Sequence, residues 1–167
     1  MTKQQRSSGF MSHFRKIASA TCLLSSLAIA SVAHADNGTD FTQMLGDDLK
    51  AVFNNTMMIG EYRSVRDRTQ TSNYTEFHFD DGSTDYKEGP QVEKGIWNLV
   101  GQDKVCYRYP ESSSYTQTYC FFVYESDGCY YKYSLYAMGL NGPVNYDYWS
   151  SRAIRKGSGK SCAAPIS

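Results

Sequence analysis

Acid–base chemistry in this chain would have to start at His78, because the other two histidines, His13 and His34, fall in the first thirty-five residues. In "TEFHFDDGSTD" a carboxylate, Glu76, lies two residues before His78, and the Asp81-Gly82 turn returns Asp85 across from it. With Phe77 and Phe79 pointing inward as core, His78 is expected to point outward, a solvated histidine in a mixed-charge surface pair. A histidine–carboxylate pair becomes catalytic only with a nucleophile in reach, and no G-x-S-x-G elbow is present. Asp80 and Asp85 raise the question of a glycosidase pair, but a general acid of that kind needs burial, and turn-tip carboxylates lie in water. "DDGSTD" lacks the alternating oxygen ligands and the distant bidentate Glu of a calcium loop. The expectation is therefore no catalytic residue, no metal and no cofactor, and so not an enzyme.

Cysteines are the other reactive residues. Lys3, Arg6, Arg15 and Lys16 precede the apolar run "IASATCLLSSLAIASVA", and Ala33-His34-Ala35 is a small-x-small cleavage pattern, so residues 1–35 read as a cleaved export signal. Cys22 sits inside that run; lipidation there is the lesser alternative, since Ser19-Ala20-Thr21 makes a poor lipoprotein box. Cys106, Cys120, Cys129 and Cys162 remain, and four thiols behind an export signal read as two disulfides. The leader removes four of the seventeen basic residues and no acid, leaving thirteen against seventeen acids. A net charge near −4 lacks the basic field that nucleic-acid binding needs. Asp36 to Ser167 is one domain in length, with no transmembrane run, and is expected to be a periplasmic or secreted monomer.

These residues must be positioned by strands. Asp40 to Phe53 places Phe41, Met44, Leu45, Leu49, Val52 and Phe53 on one helical face, with Asp40 and Gln43 resembling a capping box and Asn54-Asn55 a stop. Its acidic polar face, Asp47 and Asp48, favours a helix that covers a sheet over one that lies on a membrane. From about residue 57 to 150 the pattern is short strands rich in Tyr, Phe and Val. Asp81-Gly82, Gln102-Asp103 and Asp127-Gly128 are the hairpin turns, which indicates an antiparallel meander closed or curled into a barrel. If Gln102-Asp103 is a two-residue loop, Leu99 faces Cys106 and Trp97 faces Arg108. If the next loop is centred on Ser113, Cys106 faces Cys120 at a separation a disulfide can bridge. Cys129 and Cys162 would then tie the tail, residues 151–167, to the Asp127-Gly128 turn.

In order and spacing, Asn55-Thr56, Gly60-x-Tyr62, Phe77-x-Phe79-x-Asp81-Gly82, Gly95-x-Trp97, Gly101 with Cys106-Tyr107, and Cys120 resemble the DUF995 family of small exported bacterial proteins. The likeness covers about Asn55 to Tyr124. It implies a lipocalin-like antiparallel barrel in the periplasm and no established activity, because that family's function is unknown.

All fourteen tyrosines fall after residue 35, and "CYYKYSLY" with "VNYDYW" puts Tyr131, Tyr133, Tyr146, Tyr148 and Trp149 on expected strand positions. Trp97, like Phe77 and Phe79, reads first as core, then as pocket lining; with Tyr107 these aromatics are the expected ligand or partner surface. Gly60, Gly95 and Gly101 read as places where the backbone needs room. The basic residues Arg152, Arg155, Lys156 and Lys160 read as a solvated face. Two functions fit: binding of a small apolar or aromatic ligand in the barrel, or docking onto an envelope protein through a Tyr/Trp surface. The first would show a continuous pocket, the second a filled interior.

Overall fold

The computed structural model describes residues 40–64, 66–112 and 117–162. The expected leader with Cys22, the turn centre at Ser113 and the last residues of the tail lie outside them. Eight strands follow one another as a simple meander: β1 (Thr56–Arg63), β2 (Thr71–His78), β3 (Ser83–Glu88), β4 (Gln91–Val100), β5 (Lys104–Arg108), β6 (Thr118–Ser126), β7 (Cys129–Ser134) and β8 (Ser151–Arg155). Each pairs antiparallel with the next, and β8 pairs with β1, so the sheet closes into a barrel without edges. The expected antiparallel barrel with one helix is what forms. Ser151–Arg155, expected to belong to a tail, is the strand that closes it.

Several local expectations are corrected. The helix, α1, spans only Gly46–Phe53. Residues Thr42–Gln43 are extended and pair with Glu125 and Tyr124 of β6, and Gly46 has φ 52°, so no helix runs back to Asp40. Sheet pairing of the polar Thr42-Gln43 overrides the weak 3.6-residue periodicity. The β4–β5 turn has three residues, not two: Val100 faces Lys104, so Leu99 faces Val105 and Trp97 faces Tyr107. Gly101 at φ 66° supplies the additional bend residue. Between β7 and β8 the chain forms two short 3-10 turns, Leu135–Ala137 and Tyr146–Tyr148, around a two-residue ladder, so Tyr146 and Tyr148 are not on a strand. Asn145 caps the second turn by accepting from the Asp147 N–H, a local alternative to the ladder.

Other expectations hold. Asp127 and Gly128 both have positive φ, 50° and 80°, as a two-residue hairpin turn matched to strand twist requires. Cys106 faces Cys120 and is bonded to it, and Cys129 is bonded to Cys162. The second bond carries the chain end back to that turn, where Lys160 pairs with Asp127 at 2.7 Å. In the chain-entropy account a loop the size of Cys106–Cys120 contributes roughly 3 kcal/mol.

Alternation along the strands sorts the core. Met58, Tyr74, Tyr86, Trp97, Val105, Tyr107, Phe121, Val123 and Ala153 face inward, and Leu49, Val52 and Phe53 of α1 close one end. Trp97 is held there by its own backbone N–H to the Gly82 carbonyl and its indole N–H to the Phe79 carbonyl, both 2.8 Å. Gly95 is required by close approach: a Cβ would lie 2.5 Å from the Tyr109 ring. A second cluster, Tyr124, Tyr133 and Trp149 with Phe41 and Tyr131, lies on the outer face of the wall under the β7–β8 connection.

Candidate functional site

The strand that carries His78 faces the opposite way from expectation. Tyr74, Glu76 and His78 are buried in the barrel, while Phe77 and Phe79 lie half-buried on its outside, their rings 4.5 Å apart beside Met57 and Val92. The residue opposite His78 is Thr84; Asp85 faces Phe77 and pairs with Lys94. The partners explain the inversion. Phe77 and Phe79 cover each other on an outer groove, and the inward polar groups find one another.

Glu76 and His78 are each 0% exposed, and Lys132 of β7 is 1% exposed. The Glu76 Oε1 accepts from the Tyr109 hydroxyl at 2.6 Å and from the Thr84 hydroxyl at 3.1 Å. Its Oε2 lies 3.6 Å from His78 Nε2 and 3.8 Å from Lys132 Nζ. His78 also bridges the wall, with Nδ1 3.3 Å from the Thr56 carbonyl and Nε2 3.1 Å from the Tyr107 hydroxyl. The Lys132 ammonium sits 4.3 Å from the Tyr107 ring centroid and 5.3 Å from that of Phe53, a cage of π-faces that offsets part of its lost hydration. Burial dominates the titration of both bases. It pulls His78 down to about 4, against the field of Glu76, and Lys132 down to about 8. At neutral pH the cluster is thus a neutral imidazole beside a buried Glu–Lys pair.

Above this cluster a belt of rings crosses the barrel: Tyr62 lies 4.7 Å from Tyr74, Tyr74 lies 5.6 Å from Tyr86, and Tyr86 lies 5.7 Å from Tyr109. Burial and neighbouring acid push the Tyr62, Tyr107 and Tyr109 hydroxyls upward, so they remain proton donors. Beyond the belt a cavity of about 800 Å³ opens toward the β7–β8 connection. Tyr62, Tyr86, Tyr107, Tyr109, Tyr119, Phe121, Tyr136 and Tyr148 line it, with Arg63, Arg68, Glu88 and several serines. Glu76, His78 and Lys132 do not. No protein-family model, no curated protein and no solved structure matches the chain.

Of the aromatics expected at a ligand or partner surface, the cavity gathers Tyr107 and Tyr148. Trp97 is core at 6% exposure, edge-on to the His78 ring and tilted against that of Phe53. Tyr133 and Trp149 are buried in the outer cluster, with Tyr131 half-buried and Tyr146 stacked 4.4 Å from Phe41. All four were expected to be displayed; Tyr133, Trp149 and in part Tyr131 are instead covered in this cluster, while Tyr146 stays exposed at its edge. Sequence reasoning missed Glu76, Lys132, Tyr109 and the two arginines. A period-two reading of Tyr74, Glu76 and His78 against Thr84 and Tyr86 could have found the polar layer, had charged residues been admitted to the interior. Among the described residues no group of three or more His, Cys, Asp or Glu side chains could hold a metal ion. Nor is any helix among them long and apolar enough to cross a membrane.

Proposed function

We propose that the protein binds a small aromatic or apolar molecule in the open end of the barrel, without turning it over. The cavity of about 800 Å³ carries this reading: it falls in the size range of small-molecule sites, and its walls are rigid amphipathic rings with a few polar groups between them. Tyrosine suits such a wall, giving a ligand a π-face and a hydroxyl at little entropic cost. Binding without chemistry is supported by the place of Glu76, His78 and Lys132, under the tyrosine belt and not among the residues that line the cavity. The resemblance to the DUF995 family and the four paired cysteines support an exported protein, in the periplasm or secreted, because disulfides persist in oxidising compartments.

Native mass spectrometry of the non-reduced protein, isolated from the compartment to which it is exported, tests this reading. A stoichiometric adduct of a few hundred daltons is expected. A bare chain that also fails to take up phenylnaphthylamine, a neutral aromatic probe, would overturn it.

A second reading has its own observation. Leu135, Tyr136, Leu140 and Val144 are 67–105% exposed along one connection, an apolar flap beside the cavity mouth. Docking onto an envelope protein would bury that flap. A pull-down lost with Leu140→Ser and Val144→Ser, alongside an empty cavity, would favour it.

A further inference from the structure

At the rim of the cavity two guanidinium groups come together without a carboxylate salt bridge to either among the described residues. Arg63, at the end of β1, stacks 3.6 Å above the Trp149 ring and donates to the Asp147 carbonyl. Arg68 lies 5.0 Å from the Tyr148 ring centroid and donates to the Trp149 carbonyl at 3.1 Å. These contacts orient the planar groups but leave them charged, since a carbonyl neutralises nothing. The Nε of Arg63 is buried and finds no hydrogen-bond partner among the described residues. Burial and then the neighbouring charge of Arg68 and Arg152 lower the Arg63 pKa, with Asp147 and Glu61 acting in the opposite direction. Arg152 is already matched to Glu61, at 2.6 Å. Among the described residues the one acid that lines the cavity, Glu88, accepts from the Tyr86 hydroxyl at 2.5 Å.

We infer that the ligand is an aromatic anion, its ring body among the tyrosines and an oxyanion group, carboxylate or sulfonate, between Arg63 and Arg68. The inference rests on the cavity reading and adds the charge of the ligand. Forked guanidinium donors match two-oxygen acceptors better than an ammonium does, and two converging cations with fixed planes are preorganised for one. The aromatic faces beneath both groups hold them in place before the ligand arrives.

Two probes that differ by one group separate this inference from the reading beneath it. Anilinonaphthalene sulfonate is phenylnaphthylamine with a sulfonate added. Titration of the intact, disulfide-bonded protein by fluorescence should show the sulfonate binding at least tenfold more tightly, about 1.4 kcal/mol. Arg68→Gln and Arg63→Gln should each erase most of that preference, lowering the affinity for the sulfonate far more than the affinity for phenylnaphthylamine. Arg63→Lys, which keeps charge but not the fork, should keep part of it. Arg68 is exposed, so its variant carries the test if Arg63→Gln fails to fold. Equal affinity for the two probes would overturn the anion and leave the cavity standing. A sulfonate preference untouched by both substitutions would overturn it too. Binding of neither probe would remove both readings together.

Discussion

The two ends of this barrel handle polarity in opposite ways. At the closed end, under α1, a Glu, a Lys and a His are shut away from water. The Glu76 Oε1 is answered by tyrosine and threonine hydroxyls, while its Oε2 and the Lys132 Nζ meet only as charges, 3.8 Å apart and without a hydrogen bond among the described residues. At the open end two arginines sit on aromatic faces beside empty volume, answered by backbone carbonyls. The same residue type, tyrosine, separates the two layers. A buried ion pair is weak evidence for stability, since desolvation consumes much of its attraction, but breaking one is costly. The closed end therefore specifies the fold, fixing which face of β2 turns inward, and the open end is free to serve a ligand. The contrast predicts that changes below the tyrosine belt alter stability and changes above it alter binding.

Lys132→Ala should have the largest effect. It leaves the Glu76 carboxylate buried beside a neutral imidazole, and a loss of about 3–5 kcal/mol in urea unfolding is expected. Replacing both partners, Glu76→Gln with Lys132→Met, should recover most of that loss. If the single variant kept its stability but lost probe binding, Lys132 would belong to the ligand and the division between the ends would fail. Trp97→Ala should cost nearly as much, about 3–4 kcal/mol, because the ring packs near Phe53 and His78 and satisfies the Phe79 carbonyl. Unchanged stability there would move Trp97 from core to binding surface.

The pH dependence sharpens the same contrast. His78 has a folded-state pKa of about 4 against an ordinary 6.5, so the unfolded chain binds the proton more readily between those values. Stability is then fully present above pH 6.5 and is lost as pH falls toward 4, by roughly 3 kcal/mol. The groups that face the ring are Glu76, the Tyr107 hydroxyl, the Thr56 carbonyl and, through its field, Lys132. Urea midpoints at pH 7 and pH 4.5 should differ less in His78→Gln than in the parent. An equal difference in both would show that the proton goes elsewhere.

How much of this was legible in the sequence follows from what each signal depends on. Two turn and disulfide signals were legible because they are local: Asp127-Gly128 suits a turn with two positive φ values, and a hairpin places Cys106 opposite Cys120, which leaves Cys129 to Cys162. Register at β4–β5 slipped by one, because nothing in "GQDK" separates a two-residue loop from a three-residue one except the φ of Gly101. The face of β2 was read the wrong way round, since apolar-inward reasoning assigns Phe77 and Phe79 to the core. Only the arrival of Lys132 and Thr84 from two other strands, and of Tyr109 from just past the end of β5, makes Glu76 an interior residue. Of the site, Tyr107 and Tyr148 were anticipated, whereas Arg63 and Arg68 depend on the chain crossing between β7 and β8.

The smallest effect on stability, and the finest test of the division, belongs to Tyr148→Ser. The ring is 52% exposed and lines the cavity beneath Arg68, so its loss uncovers no core. Stability should change by no more than about 0.5 kcal/mol. Affinity for phenylnaphthylamine should fall about three- to tenfold, the worth of one aromatic contact. The sulfonate probe should lose more than the neutral one, because the Arg68 guanidinium loses the face that orients it. A variant that lost stability with binding intact would mean that the β7–β8 connection is structural at its tip. The cavity would then be a by-product of the fold's open end instead of a site.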